Sequence, residues 1–149
     1  MKLKVIFASL ICALLLLLAP SKAIAATVSH APSDAMVNIV EPKDGATVAE
    51  TFTVKFGLSG MELAPAGVER ENTGHHHLLI DQPELPNLST SLPATNQIRH
   101  FGKAQTETEL TLNPGEHTLQ LVLGNYLHIP HDHPVISEPI KIKVQHTDN

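Results

Sequence analysis

The 149-residue chain carries ten Lys and Arg against fifteen Asp and Glu, a formal net charge of −5, together with ten histidines, one cysteine and no tryptophan. That acidic balance argues against nucleic acid and against an anionic membrane surface as partners. A single cysteine also excludes a disulfide scaffold within the chain.

The first 25 residues read as a secretory signal peptide. Lys2 and Lys4 form a positive start, Val5 to Ala19 is almost wholly apolar, Pro20 breaks the run, and Ala23-Ile24-Ala25 offers small residues at a cleavage site. Cleavage after Ala25 leaves a periplasmic or secreted chain with no membrane span. It removes Cys12 as well as Lys2, Lys4 and Lys22, so seven basic side chains face fifteen acidic ones, a formal charge of −8. All ten histidines survive, with no thiol to compete for a metal. A domain without disulfides must hold together by its core alone.

Residues 26–36 read as a flexible N-terminal arm, followed by a single domain at 37–146. A first short strand, Val37 to Val40, is ended by Pro42 and the Asp44-Gly45 turn. From Thr51 to Leu58, Phe52, Val54, Phe56 and Leu58 alternate with Thr53, Lys55 and Gly57, which predicts a half-buried strand. His75 to Asp81 is the next strand, then Gln105 to Leu112, with Leu110 and Leu112 inward. Asn113-Pro114-Gly115 is a turn. Glu116 to Gly124 places His117, Leu119, Leu121 and Leu123 on one face and Thr118, Gln120 and Val122 on the other. Ile140, Ile142 and Val144 alternate with Lys141 and Lys143 in the last strand. Short alternating runs broken by Gly and Pro, with no long helical period, predict an all-β fold: an immunoglobulin-like antiparallel β-sandwich of about seven strands. Three connections, 60–74, 82–102 and 125–137, are long enough to suggest function.

Sandwich topology gathers histidines. Successive antiparallel strands bring the start of the 75–81 strand, the approach to the 105–112 strand and the exit of the 116–124 strand to one pole. His75, His76, His77, His100, His128, His131 and His133 map there, whereas His117 falls at the opposite pole. His75 and His77, two apart on a strand, point the same way, and His76 points to the other face, where it is expected to be packed and hydrogen-bonded. Pro130 and Pro134 stiffen the loop around His131 and His133. Neutral imidazole suits Cu(II) and Zn. The candidate metal ligands are therefore His75, His77, His128, His131 and His133, with His100 and Asp132. The spacing reproduces neither a zinc finger nor a helical HExxH site, and no G-x-S-x-G elbow supports serine hydrolysis.

Four stretches, "PKDGATV" (42–48), "GHHHLLID" (74–81), "HFGKAQTE" (100–107) and "PGEHTLQLVLGNYLHIPHDHPVISEPI" (114–140), resemble a bacterial exported family catalogued as domain of unknown function 4399. The resemblance spans about residues 37–145 and implies a single exported β-domain. It implies no catalytic residue. Copper–zinc superoxide dismutases also place a His-x-His on a sandwich strand, but they usually carry a disulfide and a zinc loop that this chain lacks. The sequence thus reads as a binding protein rather than an enzyme: an envelope carrier, buffer or accessory factor for Cu(II) or Zn. The alternative is a metal-free structural or interaction module with an envelope protein partner. A histidine-metal enzyme comes third.

Overall fold

A computed structural model describes residues 28–146. The expected signal peptide lies outside the described residues. Among the described residues nine strands run in chain order: β1 (Met36–Glu41), β2 (Thr47–Ala49), β3 (Thr51–Ser59), β4 (Glu62–Leu63), β5 (Thr73–Ile80), β6 (Ile98–His100), β7 (Glu107–Thr111), β8 (Gly115–Gly124) and β9 (Ile140–Gln145). They form two sheets. The smaller has the order β1-β3-β7; the larger runs β2-β9-β8-β5-β4, with β6 also paired to β5. The fold is an all-β, immunoglobulin-like sandwich, as the alternation predicts. Two short pairings, β2 with β9 and β4 with β5, are parallel. β2, β4 and β6 are the three strands beyond the six runs read in the sequence: each has only two or three residues, too few to leave an alternation.

The alternating faces meet in the interior. Val37 and Ile39 of β1, Val54 and Phe56 of β3 and Leu110 of β7 pack against Leu78, Ile80, Leu119, Leu121, Leu123, Ile142 and Val144 of the larger sheet. The register of β5 and β8 is antiparallel, with His75 opposite Gly124, His77 opposite Val122 and Leu79 opposite Gln120. Ala31 is also buried in this core, and the backbone around it bonds to Asp132, through Ala31 N–H to Asp132 Oδ1 at 3.2 Å and Asp132 N–H to the Ser29 carbonyl at 3.0 Å. The described part of the expected arm is thus tied to the sandwich at these points, because a small apolar side chain fills a gap at the core's edge.

A second, smaller core lies on the outer face of the larger sheet. Leu79 of β5 and Val122 of β8 are covered there by Leu92 and Ile98, with Leu88 and Ile136 against them. The long connections at 81–97 and 125–139 therefore form a roof. All eight residues of β5 are buried as a consequence. A strand buried on both faces ordinarily reads as a continuous apolar run. In β5 three histidines occupy positions where aliphatic residues are usual, and the site follows from that exchange.

Candidate metal centre

His75 and His77 leave β5 on the roofed face, two residues apart. His76 leaves on the other face and enters the sandwich interior, where its ring centre lies 5.0 Å from that of Phe56. Phe56 in turn packs on Phe101 at 4.9 Å. His76 is therefore packed as expected, but neither ring nitrogen has a hydrogen-bond partner, which differs from the expected hydrogen-bonded ring. The Phe56 ring against it offers no hydrogen-bonding group.

A short strand and a turn bring further rings to His75 and His77. β6 pairs with β5 so that His100 stands opposite His77. The turn after β8 brings His128 over the cluster. The four ring centres lie 4.6 to 5.9 Å apart in every pairing. Nitrogens of His75, His100 and His128 all lie within 4.8 Å of one another. His77 belongs to the cluster by its ring, although the tightest nitrogen set contains the other three.

His128 owes its position to a strained backbone. Its φ is +66°, a left-handed conformation uncommon for a non-glycine residue and frequent at functional sites. Asn125, almost completely buried, holds the turn. Its Oδ1 accepts from Leu127 N–H at 2.8 Å and Ile129 N–H at 3.0 Å, and its Nδ2 donates to Ser29 Oγ at 3.1 Å. The His128 carbonyl accepts from Leu92 N–H at 2.9 Å and so joins this turn to the roof. Replacing Asn125 by Ala unpairs two backbone donors. The expected cost is about 1–3 kcal/mol in chemical denaturation, and His128 should lose its fixed place. Asn125→Asp, which keeps the acceptor, should cost less. Equal stability of wild type and Asn125→Ala would show that the turn holds without this clamp.

Two glycines make room for the rings. A Cβ on Gly124 would lie 2.6 Å from His77 Cε1, and one on Gly102 would lie 2.6 Å from His100 Nε2. Any larger residue would displace an imidazole.

The electrostatics disfavour protonation of His75, His77 and His100. Burial, followed by the neighbouring His100 and His128, pushes the His75 pKa down to about 4. Burial, followed by His75, His100 and His128, pushes His77 down to about 3. Burial and then His128 also lower His100. His75 and His77 are fully buried, and none of their four ring nitrogens has a hydrogen-bond partner. Native interiors seldom leave such groups unsatisfied. Imidazoles with free lone pairs, converging from two strands and a turn, have the chemistry of a metal ligand set.

The remaining candidates lie apart from these four. The buried His131 places Nε2 3.2 Å from the Thr73 carbonyl and borders a cavity of about 430 Å³ lined also by Ser29, His30, Arg70 and Tyr126. Asp132 accepts from His30 at 2.8 Å, and this partner, with the His133 and Ala31 N–H groups, draws its pKa down to about 2. His133 is exposed and meets His30 edge-on at 5.9 Å. The 131–133 segment therefore anchors the N-terminal strand of chain at 29–31 instead of reaching the four-ring cluster. A strand alternation says which side of a sheet a residue faces; it does not say how a turn folds back, which is why the sequence grouped these residues together. Nor did it reveal the Gly102 and Gly124 contacts or the Asn125 clamp. Asn125, directly after a strand and ahead of a Pro, was the one legible hint of an Asx turn. His117 lies at the other pole, bonded to Asp81 at 2.7 Å and to the Asn113 carbonyl at 2.8 Å.

No helix among the described residues is long and apolar enough to cross a membrane. No curated protein matches the chain. Among solved structures, it is similar to the fibronectin(III)-like modules of Clostridium thermocellum CbhA, with 17% identity, a TM-score of 0.43, and coverage of 76% of this chain and 100% of that one. It is similar also to the endo-beta-1,4-mannanase from Thermotoga petrophila, with 19% identity, a TM-score of 0.43, and coverage of 76% of this chain and 20% of that one. The family described as domain of unknown function (DUF4399) matches residues 54–145, from within β3 to the end of β9 and across all four clustered histidines, and the chain belongs to that family.

Proposed function

We propose that this is an exported, periplasmic or secreted domain that binds a divalent transition metal, Cu(II) or Zn, through His75, His100 and His128 with His77 beside them, and acts as a carrier, buffer or accessory factor. The observation that supports this reading is the set of buried, unpartnered ring nitrogens of His75 and His77 inside a group of four imidazoles. Burial holds His75 and His77 well below the ordinary histidine pKa, so their lone pairs are free for an ion.

Calorimetric titration of protein purified without a tag or nickel resin tests it. One equivalent of metal should bind. His75→Ala and His128→Ala should each weaken binding at least tenfold, whereas His117→Ala and the His131/His133 double alanine variant should bind as wild type does. Affinity weaker than about 100 μM, some −5.5 kcal/mol, or equal binding by all variants, would remove the proposal. Export is read from the first 25 residues. Intact-mass measurement of the exported protein should give a chain starting at or near Ala26; a membrane-bound chain that keeps Met1 would contradict it.

A further inference from the structure

The arrangement of the four rings also discriminates among ions, an inference that rests on the metal-binding reading above. We infer that the cluster is a tetrahedral four-imidazole site, with His77 as its fourth ligand, suited to a d10 ion of the zinc type and not to Cu(II).

The six distances between ring centres carry the argument. They are 4.9 Å for His75–His77, 4.9 Å for His75–His100, 5.0 Å for His75–His128, 5.2 Å for His77–His100, 5.9 Å for His77–His128 and 4.6 Å for His100–His128. An ion held by imidazole nitrogens at about 2.0–2.1 Å has ring centres roughly 3.2 Å away, and a tetrahedron of this size separates every pair by about 5.2 Å. A square plane of the same size would separate neighbours by about 4.5 Å and two opposite pairs by about 6.4 Å. His77–His128, at 5.9 Å, approaches a planar diagonal. The other diagonal would then be His75–His100, which is only 4.9 Å. Flattening the cluster would have to drive those two rings apart by about 1.5 Å.

The fold opposes that movement. His75 and His100 stand on neighbouring strands, β5 and β6, whose separation is set by ladder hydrogen bonds. β5 is buried throughout. The His100 ring also lies against Gly102, and the His77 ring against Gly124. Neither His77 ring nitrogen has a hydrogen-bond partner, so one of them is free to make a fourth bond to the ion. The cluster contains imidazole alone, with neither thiolate nor carboxylate, a donor set zinc accepts in tetrahedral geometry.

Cobalt(II) substitution tests the geometry. Tetrahedral Co(II) absorbs visible light intensely and six-coordinate Co(II) weakly. Apo protein titrated with Co(II) should develop intense bands that saturate at one equivalent. Zinc should abolish them at one further equivalent, and Ni(II), which prefers square-planar or octahedral surroundings, should not. His77→Gln should shift the bands and lower zinc affinity at least tenfold. If that variant fails to fold, the wild-type spectrum and the Ni(II) competition still decide the geometry. A weak spectrum at full Co(II) occupancy, displacement by one equivalent of Ni(II), or a His77→Gln variant identical to wild type would overturn the tetrahedral site while leaving metal binding in place. Failure of Co(II), zinc and Cu(II) all to bind would overturn the metal reading itself.

Discussion

Metal-free protein should unfold in mild acid, and the slope of that loss should be steep. His75 and His76 have pKa values of about 4, and His77 about 3, all lowered first by burial from the ordinary 6.5. A histidine whose folded pKa is depressed takes up a proton more readily in the unfolded chain. Stability is therefore intact above pH ~6.5 and falls as the pH drops from there towards about 4. With three such residues the slope approaches about 4 kcal/mol per pH unit, and the loss by pH 5 is on the order of 5 kcal/mol. A domain of this size has only about 5–15 kcal/mol to lose. His117 acts in the opposite sense: burial disfavours its charge, but Asp81 and the Asn113 carbonyl outweigh this and raise its pKa. One raised group does not offset three lowered ones.

Circular dichroism of the apo protein from pH 8 to 4 is the direct measurement. His76→Leu should flatten the slope by about one proton, because His76 gives the interior no hydrogen bond and its apolar replacement has nothing to protonate. Saturating zinc should move the transition to lower pH, since protons and metal compete for the same lone pairs. An apo protein still fully folded at pH 4.5 would show that these rings are less desolvated than their burial implies.

Leu121→Ala should cost about 2–5 kcal/mol. Leu121 is fully buried, faces the smaller sheet with Leu119 and Leu123, and its strand carries the antiparallel ladder with the histidine-bearing β5. The loss has two parts: the transfer energy of the missing carbons and the cavity that a two-sheet core cannot collapse to fill. Urea denaturation reads it as a lower midpoint with an unchanged slope. A cost below about 1 kcal/mol, the scale of an exposed site, would place Leu121 on the wrong face. Because the backbone partner of Leu121 is Leu78, one residue along from His77, the variant should also show weaker metal binding in proportion to any loosening of β5.

The sandwich and its inner face are legible in the chain. Val54 and Phe56, Leu119, Leu121 and Leu123, and Ile142 and Val144 each recur at every second position, and a period of two puts such residues on one face of a strand. The same rule separates His76 from His75 and His77, and antiparallel strand order puts His117 at the far end. Membership of the cluster depends on how the loops fold. His100 joins because a three-residue strand pairs with β5, and His128 because a left-handed residue held by Asn125 turns it inward. His131, Asp132 and His133, a few residues further on, bend towards Thr73 and His30 instead. Loop conformation depends on long-range hydrogen bonds and on the space left by Gly102 and Gly124. Neither leaves a periodic trace in the chain, so the strands were legible and the turns that complete the site were not.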